Sequence, residues 1–143
     1  MKGINILLVE DNEGDIVLTK EALSEAKINN KVTVVRDGEE AINFLNESLN
    51  TDSDLLPDLV LLDINLPKID GKEVLFYIKN HSVLKKIPVV MLTTSSSEMD
   101  VTDAYLNHAN CFITKPVDIH KFFSVVRMIE DFWVTIVKLP AKT

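Results

Sequence analysis

Four charged side chains of this 143-residue chain come at or directly after the ends of short aliphatic runs: Glu10, Asp11, Asp63 and Lys115. Burying a carboxylate without a partner costs several kcal/mol, so an acid that ends a core strand requires a partner or a function. Carboxylate oxygens are ligands of hard divalent cations, and a carboxylate can also attack phosphorus to form an aspartyl phosphate. The set therefore indicates phosphoryl transfer assisted by Mg²⁺, or by Mn²⁺, with Asp63 as the nucleophile.

Short aliphatic runs alternate with longer amphipathic segments along the chain. The aliphatic runs predict five strands, at Ile4–Val9, Val32–Val35, Leu59–Leu62, Val89–Leu92 and Cys111–Thr114. Apolar residues at helical spacing predict five helices, near Glu13–Lys27, from Gly38 through Leu49, and over Gly71–Asn80, Glu98–His108 and Asp118–Val137. Five β-then-α units with mostly aliphatic strands indicate an open, doubly wound α/β fold, in which helices cover both faces of a parallel sheet.

The chain is predicted to form one domain over residues 1–143, with a core over about residues 4–137 and a short tail over residues 138–143. The segment Asn46–Pro57 is polar and rich in turn-forming residues, so it is predicted to be an extended surface connection.

Composition and charge exclude several classes of protein. The formal net charge of −7 argues against direct binding to the phosphate backbone of nucleic acid. The single cysteine, Cys111, excludes an internal disulfide framework and suits a reducing cytosol. No apolar run reaches the length of about eighteen residues that a membrane span needs, and the N-terminus has no secretory signal, so we expect a cytoplasmic protein.

The charged residues should converge on one edge of the sheet. Ligands of open α/β sheets bind outside the carboxyl ends of the strands, where the strand order reverses. If the first and third strands are neighbours, Glu10, Asp11 and Asp63 crowd this edge, and their repulsion raises their pKa values or requires a cation. Thr93, at the end of the fourth strand, adds a hydroxyl group, and Lys115 adds a positive charge on the next strand end.

Four motifs carry a family resemblance, and they occur in the order LLVEDN, LLDINLPKIDG, VVMLTT and ITKP. Together they resemble the receiver domain of response regulators in two-component signalling, from about Ile4 to Val137. The resemblance implies a flavodoxin-like sheet of five parallel strands in the order 2-1-3-4-5, with five helices on two faces. A narrower resemblance, to the small stand-alone regulators of the cyanobacterial phytochrome type, rests on IPVVMLTTS, the lengthened loop before the third strand and the ending IEDFWVTIVKLP.

The same resemblance implies a role for each residue that matches the motifs. Asp63 is the phosphoacceptor. The ligands of Mg²⁺ are Asp11, Asp63, the backbone carbonyl of Asn65 and, through water, Glu10. Three further residues contact the phosphoryl group or respond to it: Thr93 as the switch hydroxyl, Phe112 as the aromatic switch, and Lys115 as the phosphate partner before a cis Pro116.

The resemblance also implies how the protein signals. It accepts a phosphoryl group from a histidine kinase or a phosphotransfer protein, and it then changes the surface formed by Glu98–His108, the fifth strand and the last helix. Thr93 and Phe112 bias an existing equilibrium between two packings of this surface. Such a receiver assists its own phosphorylation but is not a turnover enzyme. Since no second domain follows Thr143, output is expected to pass through a downstream protein partner.

The last predicted helix is apolar on two sides. One stripe consists of Ile119, Phe122, Val126, Ile129, Trp133 and Ile136, and a displaced stripe consists of Val125, Met128, Phe132 and, beyond the helix, Leu139. A helix with two apolar sides is either buried twice or meets a partner. We expect a homodimer through this helix and the neighbouring strand. The alternative is a broad core contact under the chain's own C-terminal tail.

The same residues also allow structural interpretations and other functions. Glu10 and Asp11 could cap the first helix, Asp63 could start a turn, and Phe112 could be a core aromatic. A phosphohydrolase with an aspartate nucleophile needs a second aspartate two residues later, where this chain has Asn65. A flavin or nucleotide binder needs a glycine-rich phosphate loop, which the four glycines do not form. The intact set of site residues argues against a degenerate receiver that only docks.

Overall fold

A computed structural model describes residues 3–25, 29–51, 53–93 and 111–128, and it contains a five-stranded sheet with helices on both faces. The strands are β1 (Ile4–Val9), β2 (Asn30–Val35), β3 (Leu59–Asp63), β4 (Val89–Thr93) and β5 (Cys111–Thr114). The helices of the described residues are α1 (Glu13–Glu25), α2 (Gly38–Thr51), α3 (Gly71–Lys79) and α4 (Ile119–Met128), with 3₁₀ turns at Ser53–Leu55 and Leu84–Lys86. Within these ranges, no helix is long and apolar enough to cross a membrane.

The order of the strands is β2-β1-β3-β4-β5, and every neighbouring pair is parallel. This topology confirms the predicted flavodoxin-like, doubly wound fold. The predicted helix over Glu98–His108 lies outside the described residues, as does the predicted part of the last helix beyond Met128.

Two hydrophobic layers, one on each face of the sheet, form the core because side chains alternate along each strand. The layer under α1 and α4 includes Ile6, Leu8, Leu23 and Phe122. The layer under α2 and α3 includes Leu7, Val9, Leu45 and Leu75. All five residues of the central strand β3 are buried, since both layers cover it. The carboxyl end of β3 is therefore held by packing on both sides.

The prediction that Asn46–Pro57 is an extended connection is wrong, because α2 continues to Thr51. Two polar side chains of this stretch bond to the helix itself. The hydroxyl of Ser48 donates to the carbonyl of Phe44 at 2.9 Å, and the hydroxyl of Thr51 donates to the carbonyl of Glu47 at 2.7 Å. A hydroxyl that donates to the carbonyl one helical turn earlier is used within the helix, so it no longer favours a β-turn instead. Only a short connection then leads to β3.

Two glycines allow loops to approach the carboxyl edge of the sheet closely. Gly71 begins α3, and a Cβ atom there would lie 2.1 Å from the carbonyl oxygen of Asp63. Gly38 begins α2, and a Cβ atom there would lie 1.9 Å from the carbonyl oxygen of Ile69. Both distances are far shorter than van der Waals contact, so only glycine fits without movement of the backbone. As a result, α3 begins directly against the end of β3.

Candidate functional site

The strand register brings the predicted site residues to one edge of the sheet. Val9 of β1 pairs with Leu62 of β3, so Glu10 and Asp63 follow at the same level on neighbouring strands. Asp63 in turn pairs with the residue of β4 that precedes Thr93. The backbone N–H of Glu10 also donates to β2, to the carbonyl of the last strand residue at 3.0 Å. The sheet hydrogen bonds therefore fix the positions from which these side chains project.

The carboxylates of Glu10, Asp11 and Asp63 form a compact cluster, in which one oxygen of each lies within 4.8 Å of the others. Glu10 and Asp63 are buried, whereas Asp11 is exposed, so solvent reaches the cluster from the side of Asp11. Oε2 of Glu10 is buried and makes no well-aligned hydrogen bond among the described residues, which leaves a lone pair for a cation or its bound water. An oxygen-only donor set of this kind suits Mg²⁺ or Mn²⁺.

Lys115 supplies the positive charge of the site. Its Nζ atom lies 2.7 Å from Oε2 of Glu10 and 3.1 Å from Oδ2 of Asp63. The side chain of Lys115 is 8% exposed, and those of Glu10 and Asp63 are 0% and 5% exposed. The backbone N–H of Lys115 donates to the carbonyl of Thr93 at 2.7 Å, and the Lys115–Pro116 peptide bond is cis. The end of β5 is thus tied to both β4 and the acidic cluster.

Burial and an excess of acids set the electrostatics of the site. Burial raises the pKa of Glu10 to about 7; the contact with Lys115 opposes this rise, and the Asp63 carboxylate adds to it. Burial disfavours the charged form of Lys115, but its close contact with Glu10 and the charges of Asp63 and Glu10 raise its pKa above the usual value. Lys115 is therefore charged at neutral pH, and the surplus of carboxylates favours a bound cation.

The alternative that Glu10 and Asp11 cap α1 does not hold, because Asn12 caps this helix. The side-chain oxygen of Asn12 accepts from the backbone N–H of Asp15 at 2.9 Å, which is the bond of an N-cap residue. The backbone N–H of Asn12 in turn donates to Oε1 of Glu10 at 3.1 Å. The carboxylate of Glu10 is therefore oriented by the start of the helix without serving as its cap.

Asp63 does start a turn, as the alternative interpretation holds, but it does so through only one of its two carboxylate oxygens. Oδ1 accepts from the backbone N–H of Asn65 at 3.2 Å, while Oδ2 faces Lys115. This hydrogen bond within the turn fixes the carboxylate, so that Oδ2 lies toward the ammonium group of Lys115. The assignment of the Asn65 carbonyl as a metal ligand stays a prediction.

Thr93 and Phe112 lie in different surroundings. Thr93 is 6% exposed at the end of β4, next to the acidic cluster along the strand edge. Phe112 is half-buried on β5 and packs against the hydrophobic layer under α2 and α3. The interpretation of Phe112 as a core aromatic is therefore correct for this structure. The switch roles of both residues stay predictions.

One residue of the site, Asp15, was missed in the sequence. Its Oδ2 atom lies 3.1 Å from Nζ of Lys115, so it is a third carboxylate around this ammonium group. The available signal was its position in the first turn of the helix that follows Glu10 and Asp11, since this turn starts at the carboxyl edge of the sheet.

The fold and the site together define the class of the protein: a flavodoxin-like signalling domain with an acidic cluster and a lysine at the carboxyl edge of its sheet. The profile of the response regulator receiver domain matches residues 6–127, and the chain belongs to this family. Proteins of this family act in signalling and are not turnover enzymes.

Individual relatives support the same assignment. Response regulator Rcp1 from Synechocystis sp. is 46% identical over 136 residues, which cover 95% of this chain and 92% of that protein. The crystal structure of the phosphorylated cyanobacterial phytochrome response regulator RcpA is 45% identical, covers 96% of this chain and 98% of its own, and has a TM-score of 0.76. The Mn²⁺-bound form of Rcp1 is 43% identical, with coverages of 94% and 97% and a TM-score of 0.73.

These similarities confirm both the receiver resemblance and the narrower resemblance to cyanobacterial phytochrome regulators. The Mn²⁺ of that form of Rcp1 is a hard divalent cation, the kind of ion that the oxygen donors of the acidic cluster suit.

Proposed function

We propose that this protein accepts a phosphoryl group on Asp63 from a partner histidine kinase or a phosphotransfer protein. One observation carries the proposal: the buried carboxylate of Asp63 lies 3.1 Å from the ammonium group of Lys115 and within the acidic cluster. The ammonium group of Lys115 therefore lies beside this nucleophile, and the acidic cluster provides a site for a cation as the second positive charge. The single domain, with a core over residues 4–137, works in the cytoplasm as a response regulator.

In the proposed reaction, one oxygen of Asp63 attacks the phosphorus atom and a P–O bond forms. The bond from phosphorus to the donor's histidine nitrogen breaks, and its electron pair stays on that nitrogen. Lys115 neutralises charge on the phosphoryl oxygens, and Thr93 donates a hydrogen bond to one of them once the group has arrived. A bound divalent cation supplies further charge neutralisation, and its ligands are Asp11, Asp63, the carbonyl of Asn65 and, through water, Glu10.

Signalling follows from a change in the equilibrium between two packings. In the phosphorylated state, Thr93 is drawn toward the phosphoryl group, and Phe112 takes up a more buried position. The surface of β5 and the last helix then differs between the two states, and a downstream protein partner binds one of them. Phosphorylation has to favour one packing by a few kcal/mol for the population to shift by a large factor.

The proposal includes a homodimer through the last helix and β5. It rests on the second apolar stripe in the sequence, which consists of Val125, Met128, Phe132 and Leu139. The side chains of this stripe lie outside the described residues. Ile119 and Phe122, which begin the other stripe, belong to the described part of α4, and Phe122 is buried in the core. One stripe therefore already has a core function, which leaves the other for a partner.

Incubation with acetyl phosphate and Mg²⁺, with and without a chelator, tests the proposal directly. We expect a phosphoryl adduct that needs the cation, located on Asp63 by peptide mass spectrometry. Asp63→Asn should abolish the adduct and leave the fold intact, because the amide is isosteric and lacks the nucleophilic charge.

Asp70→Asn is a matched control. Asp70 caps α3 by accepting from the N–H of Glu73 at 2.9 Å, and asparagine caps helices equally well. This variant should be labelled like the unchanged chain. An adduct that persists on another residue in Asp63→Asn would contradict the site assignment, and the absence of any adduct or beryllofluoride binding in the unchanged chain would overturn the proposed function.

A further inference from the structure

Among the described residues, three carboxylates lie next to the ammonium group of Lys115, which equals its number of N–H donors. They are Glu10 at 2.7 Å, Asp63 at 3.1 Å and Asp15 at 3.1 Å. Each comes from a different part of the fold: the end of β1, the end of β3 and the first turn of α1. The position of the ammonium group is therefore decided by the balance of three attractions.

Asp15 differs from the other two neighbours because it is outside the acidic cluster. The cluster of the described residues consists of Glu10, Asp11 and Asp63. When a cation occupies this cluster, Glu10 and Asp63 share their negative charge with it, and their attraction for Lys115 weakens. The ammonium group and the cation also repel each other. The attraction between the carboxylate of Asp15 and Lys115 is then not weakened, because Asp15 does not bind the cation.

The backbone of α1 holds Asp15 in a fixed position. Its N–H donates to the side chain of Asn12 at 2.9 Å, and the next residue, Ile16, is buried in the core and donates to the Asn12 carbonyl at 2.9 Å. The side chain of Asp15 is 26% exposed, so its ion pair with Lys115 is screened less than a surface pair. Asp15 is thus placed to act on Lys115 without reaching the cation.

We propose that Asp15 is a positioning residue that holds the Lys115 ammonium group beside Asp63 when the cation is bound. Lys115 can then contact the oxygens of a phosphoryl group on Asp63 without first moving back into the pocket. This inference rests on the proposed function, because it assumes that the phosphoryl group is carried by Asp63. It assigns to α1 a role in phosphoryl binding beyond that of packing against the sheet.

Titration with beryllofluoride, a phosphoryl mimic, in the presence of Mg²⁺ tests the inference by calorimetry. Asp15→Asn should weaken beryllofluoride binding by about five- to tenfold, the range of one charged hydrogen bond at a partly exposed site. Binding of Mg²⁺ alone should change by less than about twofold, because Asp15 is not a ligand. Asp15→Glu keeps the charge within reach of Lys115 and should recover most of the beryllofluoride affinity.

Glu13→Gln is the matched control, because it removes one acid from the same helical turn. Glu13 pairs with Arg36 at 2.7 Å, away from Lys115, so beryllofluoride affinity should not change. A double-mutant cycle adds a second readout: in a Lys115→Met background, Asp15→Asn should have less than about a twofold effect, because the group that it positions is gone.

Three results would overturn the inference: equal or tighter beryllofluoride binding by Asp15→Asn, an equal loss in Glu13→Gln, or an equal loss with and without Lys115. Failure of the proposed function is recognised separately. The unchanged chain would then bind no beryllofluoride and form no adduct on Asp63, and the role of Asp15 would fall with it.

Discussion

Lys115 is the residue on which the charge balance of the pocket depends most. Its ammonium group contacts two carboxylates that are almost fully buried, Glu10 and Asp63. Taking one partner away from a buried ion pair is more costly than removing the pair, because the remaining charge is left without compensation. The structure therefore makes Lys115 important for stability as well as for the proposed phosphoryl transfer.

Replacement of Lys115 by Met should lower the free energy of unfolding by about 3 kcal/mol in the absence of a divalent cation. Addition of Mg²⁺ should restore part of this loss, because a cation in the cluster takes over the neutralisation. Urea unfolding with and without Mg²⁺ measures both effects.

Arg36→Met is the control for this prediction. Arg36 and Glu13 form an ion pair with side chains that are 51% and 70% exposed, so its loss should cost less than about 1 kcal/mol and should not respond to Mg²⁺. Equal losses in the two variants would show that the pocket charges are well solvated.

The sequence predicted the convergence of Glu10, Asp63 and Lys115, because the carboxyl ends of parallel strands meet at one edge of a sheet. It did not predict the contact between Asp15 and Lys115. That contact depends on the rotation of α1 about its own axis relative to the sheet, and the apolar residues of this helix define that rotation poorly. Leu18, for example, matches the apolar spacing but is 45% exposed.

Helix α3 begins in direct contact with the end of β3, the strand that carries Asp63. The N–H of Gly71 donates to the carbonyl of Ile64 at 2.9 Å, and the absence of a side chain lets the helix approach Asp63. The end of β3 and the start of α3 therefore behave as one packed unit that holds the carboxylate.

Gly71→Ala should lower the free energy of unfolding by about 3 kcal/mol, because the new Cβ atom would otherwise lie 2.1 Å from the carbonyl oxygen of Asp63. The required shift of the backbone should also slow labelling by acetyl phosphate. Chemical unfolding and the rate of adduct formation measure the two effects.

Gly14→Ala serves as the comparison. A Cβ atom at Gly14, in α1, would meet only the Asn12 side-chain oxygen at 3.3 Å. Alanine also has a higher helix propensity, so this variant should stay within about 1 kcal/mol of the unchanged chain. A similar loss at both glycines would mean that the contact at Asp63 is not the cause.

The ammonium group of Lys79, at the end of α3, donates hydrogen bonds to backbone carbonyl groups. Nζ of Lys79 donates to the carbonyl of Ile87 at 2.6 Å and to that of Lys85 at 3.2 Å. Burial lowers the pKa of Lys79 to about 8 from its ordinary value of 10.5. Between these two pH values the unfolded chain binds more protons than the folded chain, so stability rises with pH in this window.

Lys79→Met should remove this rise in stability between pH 8 and 10.5. The rise itself is about 1 to 2 kcal/mol after allowance for the partial exposure of the side chain. Lys115 does not obscure this rise. Its pKa is raised in the folded state, so its stabilising contribution declines only above the unfolded-state pKa of 10.5. Urea unfolding across this pH range provides the measurement, with Lys86→Met, an exposed lysine of the same segment, as a control that should keep the rise.

The element boundaries show what the pattern of residues can and cannot predict. Aliphatic runs located all five strands, because inner strands such as β3 and β4 have few polar positions and the edge strand β2 still ends in an apolar run. The end of α2 was predicted in two ways, as a helix through Leu49 and as an extended connection from Asn46, because Ser48 and Thr51 favour turns unless their hydroxyls bond to the preceding helical turn. Such bonds depend on tertiary packing that supports the helix, which single residues do not reveal.

The proposed dimer depends on the second apolar stripe that the sequence predicts for the last helix. Phe132→Asp should weaken self-association, because it places a charge among apolar side chains in the expected interface. Sedimentation velocity across a range of protein concentrations measures the change, and circular dichroism checks that the variant is folded.

Ser124→Asp adds the same charge at an exposed position of α4, and it should not alter sedimentation. Unchanged sedimentation of a folded Phe132→Asp variant would assign the second stripe to the core of one chain. A shift that occurs in both variants would indicate a general effect of charge.

The ion pair between Asp15 and Lys115 joins positions that are 100 residues apart in the chain. Contacts between such distant positions form late in folding, because closing a long loop costs conformational entropy before any contact repays it. During synthesis, the carboxylates of β1, α1 and β3 leave the ribosome well before Lys115 does. A nascent chain that ends at β4 has the Asp63 carboxylate but not the ammonium group of Lys115 beside it. On the proposed function, the ammonium group that neutralises charge on the phosphoryl oxygens is therefore the last part of the pocket to be made.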